Sequence, residues 1–153
     1  MANTYSQLNI HCVFAVKSRQ SFLNKELLIS LNKYISGIMK NKRLYPLAVN
    51  GWKDHIHIFF ELNPNEKISD IIRVIKSQSS KWINDNKFIP GMFNWQEGYG
   101  AFSYSRSQRN DVIKYIENQE IHHKGTTFRE EYLLLLKKFE IKFDDNYLFE
   151  FYD

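Results

Sequence analysis

From Gln7 to Val16 the chain alternates in hydropathy, with Leu8, Ile10, Cys12, Phe14 and Val16 on one side, and no other feature narrows the fold as much. A period of two is the signature of a strand with one buried face. After it the period changes. Asn24 stands where a helix N-cap would. Leu27, Leu28, Leu31, Tyr34, Ile35 and Ile38 then recur at helical spacing, which predicts a helix to about Lys42. Tyr45 to Trp52 reads as a second strand, a tight turn falls near Lys53-Asp54, and His55 to Glu61 reads as a third strand. Asn63-Pro64-Asn65 breaks the chain, and Ile68, Ile71, Ile72, Ile75, Trp82 and Ile83 mark a second amphipathic helix. Tyr99 to Ser105 reads as a fourth strand whose start is blurred by Gly98 and Gly100.

The order β-α-β-β-α-β predicts an α+β, ferredoxin-like fold: a four-stranded antiparallel sheet ordered 4-1-3-2, with two helices on one face. Two more helices follow, one from Asp111 to about His123. The other opens at the capping-box sequence Thr127-Phe128-Arg129-Glu130 and runs through Phe139, before an acidic, aromatic tail from Glu140 to Asp153. Residues 1–153 are therefore expected to form one domain. The polar start, Met1 to Gln7, lacks the order of a signal peptide. The single Cys12 has no internal disulfide partner, and no apolar run approaches the roughly 18–20 residues that span a bilayer. A cytoplasmic protein with no membrane partner is the expectation. A net charge of +4 permits a polyanionic partner without demanding one.

Two short patterns carry chemistry. In His55-Ile56-His57 both imidazoles leave the strand on one side, while Ile56, Ile58 and Phe60 point under the helices. Two neutral imidazoles on one face can share a metal ion. The histidines are expected on the face that the two helices leave open. In Tyr115-Ile116-Glu117-Asn118-Gln119, Tyr115 and Gln119 fall one turn apart, beside an apolar stripe of Val112, Ile113 and Ile116. Read alone, Tyr115 is as well explained by packing, Gln119 by solvation, and the histidines by decoration of a strand. His11 falls beside the two-histidine strand, either as a hydrogen-bonded neighbour or as a further ligand. His122 shares the face of Tyr115, and His123 is expected to point into solvent. Lys17, Arg19, Lys76, Lys81, Arg106 and Lys114 are candidate phosphate contacts. Trp82 and Trp95 fit a core better than base-stacking platforms.

Taken in order, these patterns resemble the HUH single-tyrosine transposases of insertion sequences, close to those associated with repetitive extragenic palindromes. The stretches that carry the resemblance are Val13 to Arg19, Asp54 to His57, Ser79 to Trp82, Trp95 to Ser103 and Tyr115 to Glu120, so it spans almost the whole chain. The family is ferredoxin-like, in agreement with the independent reading of the strands and helices. The resemblance implies a divalent metal, Mg²⁺ or Mn²⁺, held by His55 and His57 with Gln119 as third ligand and His122 as its rival. Such a set carries no anionic ligand. Tyr115 is then the nucleophile, giving a 5′-phosphotyrosine and a free 3′-OH. The implied substrate is single-stranded DNA with a hairpin, and the implied assembly a homodimer. The rival reading is a non-catalytic RNA-recognition-type module, which shares the element order but needs aromatic residues on an open sheet face.

Overall fold

The computed structural model describes residues 3–153; Met1 and Ala2, the first residues of the polar start, lie outside them. Four strands, β1 (Asn9–Ala15), β2 (Tyr45–Gly51), β3 (His55–Glu61) and β4 (Gly100–Tyr104), form one antiparallel sheet in the order β2-β3-β1-β4. This is the expected ferredoxin-like order, with β1 and β3 central. β4 is shorter than the sequence suggests, because its first residue is Gly100. A Cβ there would lie 2.8 Å from the Tyr132 hydroxyl, so glycine lets a helix approach the strand closely.

On one face lie α1 (Lys25–Asn41) and α2 (Ile68–Asp85). Asn24 caps α1 as anticipated, its side chain accepting from the Leu27 N–H at 2.8 Å. Ile10, Cys12 and Phe14 of β1 and Ile56, Ile58 and Phe60 of β3 meet Leu31, Ile35, Ile71 and Ile75 in a large apolar core. Trp95 packs edge-on to Phe14 there, and Trp82 stacks on Tyr34 with ring centroids 4.4 Å apart. Among the described residues no helix is long and apolar enough to cross a membrane.

The other sheet face is where the structure departs from expectation. It is not open. It is covered by α3 (Arg109–Glu117), α4 (Gln119–His122), α5 (Phe128–Lys138) and the C-terminal tail. Val13, Ala15 and Phe102 pack against Phe128, Tyr132, Leu135, Leu136 and Phe149, while Ala48 and Phe59 pack against Val112 and Ile116. Every residue of β1 is buried as a result. The exposed aromatic platform that an RNA-recognition module needs is absent among the described residues.

The single helix expected from Asp111 to His123 is interrupted at Asn118, which separates α3 from α4. Asn50 of β2 marks the reason. Its side-chain amide donates to the carbonyls of Ile116 and Glu117, each at 3.1 Å, holding the end of α3 against the sheet. At the start of α3, Arg109 pairs with Glu61. The Thr127 cap of α5 forms as read, accepting from the Glu130 N–H at 3.2 Å.

Candidate metal centre

β3 supplies the two histidines because its alternation sends Ile56, Ile58 and Phe60 to the aliphatic core and His55 and His57 to the other side. A narrow turn aims the first of them: the Trp52 N–H donates to the His55 carbonyl at 3.1 Å, and a Cβ on Gly51 would lie 2.1 Å from that oxygen. Both imidazoles are fully buried, which corrects the expectation of an open face.

They converge on Glu131, a residue of α5 that the sequence reading missed. His55 Nε2 and His57 Nε2 each lie 3.1 Å from Glu131 Oε1. The three donor atoms all lie within 4.8 Å of one another, a spacing that could hold a metal ion. Gln119 is fully buried beside them: its Oε1 is 3.1 Å from His55 Nε2, and its amide donates to Glu131 Oε2 at 3.1 Å. The set therefore includes a carboxylate, unlike the uncharged set that the sequence suggested.

Tyr115 arrives from α3, and its hydroxyl donates to Glu131 Oε2. Its ring stands edge-on to those of His57 and His122, with centroids 5.6 and 5.5 Å away. His122 Nε2 lies 3.2 Å from Glu131 Oε2. His123 does not point into solvent. Its side chain is only 2% exposed, its Nδ1 lies 2.7 Å from the Thr126 carbonyl, and its Nε2 faces Glu131 Oε1 at 3.2 Å. His122, His123 and Glu131 make a second donor group sharing the same carboxylate.

Each histidine of β3 has a partner behind it. His55 Nδ1 donates to Asp54 Oδ1 at 2.7 Å, and His57 Nδ1 lies 2.8 Å from His11 Nε2. In metal sites such outer hydrogen bonds fix the tautomer, leaving the other ring nitrogen free to ligate. His11 is thus the hydrogen-bonded neighbour of the two options its position allowed. Its own Nδ1 is buried without a partner. Phe128 stacks on His55 with centroids 4.0 Å apart and holds the ring in plane.

The electrostatics follow from this crowding. Burial works against ionisation of Glu131, but the charge of His57 and hydrogen bonds from His123, His55 and His57 outweigh it and hold the carboxyl far below its usual range. Burial pulls His55 down, yet Asp54 and Glu131 carry it up to about 9. Burial lowers His57 and His11. Burial and then the Glu131 charge push the Tyr115 hydroxyl well above its ordinary value, so it keeps its proton and donates it. The donor set fits a divalent cation: two oriented imidazoles and a carboxylate that stays ionised.

The basic candidates scatter. Lys17 and Arg19 are exposed just past the end of β1, which pairs Ala15 with His55, so they sit at the His55 end of the sheet. Lys114 and Arg106 are exposed on α3 and just before it. Lys76 and Lys81 belong to α2, across the sheet from the histidines. Lys76 donates to the Gln96 and Gly98 carbonyls at 2.8 and 2.7 Å, and Lys81 pairs with Asp85 at 2.6 Å. Glu131 had a signal in the sequence. It lies three residues after Phe128 and four before Leu135, on the apolar stripe of α5, where an acid is out of place without a partner.

Comparison with known proteins gives the family and agrees with the fold. The family model described as "Transposase IS200 like" matches residues 4–119. The ISDra2 transposase TnpA of Deinococcus radiodurans is 25% identical over 118 residues, covering 74% of this chain and 84% of that protein. A solved structure of a transposase candidate from Deinococcus radiodurans R1 superposes with a TM-score of 0.61 at 22% identity, covering 78% of this chain and 95% of the other. A REP-associated tyrosine transposase solved bound to a REP hairpin gives a TM-score of 0.59 at 16% identity, covering 80% of this chain and 73% of the other.

Proposed function

This chain belongs to the family of IS200-like transposases, and on that premise we propose that it cuts and rejoins single-stranded DNA at hairpin-bearing ends, with Tyr115 as the nucleophile. One observation carries the reading: within a single chain, Tyr115, His55, His57 and Gln119 all bond to, or lie beside, one buried carboxylate, Glu131. The hairpin held by the REP-associated transposase of the same fold supports a hairpin substrate here.

His55 and His57 would hold a divalent cation, Mg²⁺ or Mn²⁺, through their Nε2 atoms, with Glu131 Oε1 as the anionic ligand and Gln119 Oε1 as a neutral oxygen beside it. A cation there would neutralise the non-bridging oxygens of the phosphodiester and stabilise the charge that develops on them. The carboxylate makes this pocket harder than two imidazoles and an amide, which suits Mg²⁺ and Mn²⁺. The two oxygens of Glu131 divide the work. Oε1 faces the histidines, and Oε2 accepts the Tyr115 proton as its oxygen attacks phosphorus. The bond from phosphorus to the 3′ oxygen breaks, and that oxygen takes up the proton that Glu131 received and leaves as a 3′-OH. The DNA stays linked through its 5′ phosphate to Tyr115. A second 3′-OH reverses the step without an energy source, because one phosphodiester replaces another. Lys17, Arg19, Arg106 and Lys114 contact backbone phosphates in this reading. A homodimer belongs to it too, each copy carrying a whole site.

The test is to incubate the protein with hairpin oligonucleotides and Mg²⁺ or Mn²⁺, trap an SDS-stable adduct and map the modified peptide. Tyr115 joined to a 5′ phosphate is expected, with a free 3′-OH on the released fragment. An adduct on another tyrosine, or one through a 3′ phosphate, overturns the mechanism.

A further inference from the structure

Between α3 and α5 the surface opens into a cavity of about 420 Å³ that adjoins the reacting cluster and extends beyond it. Tyr115, His122 and Glu131 line it together with Tyr104, Val112, Leu134 and Leu135. Gln108, Asp111 and Lys138 supply the polar groups. Leu134 is 66% exposed, so apolar surface is left facing water beside the reacting hydroxyl. The volume falls in the range of small-ligand sites, roughly 300–1,000 Å³.

Position and lining bear on what it could hold. The cavity shares Tyr115 with the cluster, so whatever fills it sits next to the phosphodiester under attack. In a DNA strand the group attached beside a phosphate is a sugar carrying a base. A base has apolar faces and a polar rim, which is what aliphatic and aromatic walls with a few polar side chains accommodate. Lys138 lies over the Tyr104 ring, 5.4 Å from its centroid, so a cationic donor borders an aromatic wall. Asp111 can only accept hydrogen bonds when ionised, Gln108 can donate and accept, and Lys138 can only donate. The wall that α5 contributes, Glu131, Leu134, Leu135 and Lys138, lies beyond residue 119, where the family match ends.

We propose that this cavity receives the unstacked nucleobase of the nucleotide adjoining the scissile phosphate, and that Gln108, Asp111 and Lys138 read its edge. The inference rests on the DNA-cutting reading above. Extracting a base costs little from a strand that is already single. Contacts to a base edge are worth about 1–3 kcal/mol of discrimination, a preference of roughly 5- to 150-fold for one base.

Two arms test it. In the first, wild-type protein cuts a hairpin oligonucleotide library with a randomised single-stranded flank, and the products are sequenced. One position beside the cut should show a base preference of roughly tenfold or more. Leu134→Trp, which fills the cavity from an exposed position, should flatten that preference, and Lys138→Ala should change which base is preferred. The readout is the ratio between bases within each variant, not the absolute rate. Equal ratios in wild type and Leu134→Trp overturn the base pocket and leave the nuclease reading standing. In the second arm, methyl NMR follows the metal-free protein as dAMP, dCMP, dGMP and dTMP are added. Shifts confined to Val112, Leu134 and Leu135 with at least one nucleotide support the pocket even if the library is not cut. No shift with any of the four overturns it.

Discussion

The two faces of the sheet are built from alternate residues of the same strands, yet they do opposite work. Toward α1 and α2 the side chains are aliphatic or aromatic and dry: Cys12, Phe14, Ile56, Ile58 and Phe60 are fully buried among isoleucines and leucines. Toward α3, α4 and α5 the same strands offer His11, His55 and His57, equally buried, around a carboxylate. The first face stabilises the fold through apolar area removed from water. The second buries groups that prefer water and keeps them only because each has a partner. Burial by itself therefore does not separate core from site in this protein. The chemistry of what is buried does.

That contrast can be broken experimentally. The largest effect is expected on the polar face. Tyr115→Phe should abolish the covalent adduct and cutting while hairpin binding persists, and stability should move by only about a kcal/mol, the worth of one hydrogen bond. Gel analysis of cleavage and a mobility shift on the same samples check both halves. Residual cutting at a substantial fraction of the wild-type rate would remove Tyr115 from the mechanism.

On the other face the pattern should invert. Ile58→Ala should cost about 2–5 kcal/mol of stability, measured by urea unfolding, because it opens a cavity in a packed core. Cutting well below the melting temperature should survive. Loss of cutting in a folded Ile58→Ala protein would mean that the two faces are not separable.

Glu131→Gln keeps the shape of the side chain and removes its charge. Calorimetric titration with Mn²⁺ should show affinity falling by about 100-fold or more, since the anionic ligand is lost and the outer hydrogen bonds alone are worth 10- to 100-fold. Gln119→Ala should lose less, because water can replace an amide oxygen. If Gln119→Ala does the greater damage, the neutral residue is the principal third ligand.

The smallest effect should come from His11→Phe. A flat aromatic ring, slightly larger, is kept, and the hydrogen bond to His57 Nδ1 is lost. Mn²⁺ affinity should drop about tenfold as the His57 ring loses its orientation. One unpartnered buried nitrogen, His11 Nδ1, is exchanged for another, so the melting temperature should stay within about 4 °C. A large loss of stability with unchanged affinity would make His11 a packing residue only.

The hydrophobic periods of the chain carried most of the architecture. They located the strands and the helices α1 and α2, because a buried face imposes its period on the residues that make it, while a capping sequence placed α5 and the element order implied the strand order. They also put His55 and His57 on the same side of β3, opposite the aliphatic core, and the motif order brought out Tyr115 and Gln119. What they did not show was how the C-terminal helices dock. The sequence held hints: Val13, Ala15 and Phe59 are apolar on the second face, and a strand apolar on both sides is usually covered on both sides. Which helix covers it is a long-range contact, and local periodicity has no term for that.

Glu131 illustrates the limit. From His57 it is 74 residues away in sequence, and it meets that ring only because α5 lies across β1 and β3. His123 was misread for the same reason. Its neighbours in the chain gave no sign that Gln119 and Glu131 would enclose it. By itself the sequence determined which residues alternate, where helices begin, and that two imidazoles share one side of a central strand, all consequences of backbone geometry within a few residues. Only the tertiary structure decided that this side is buried and that Glu131 and Tyr115 lie against it, since these depend on which distant surfaces exclude water together.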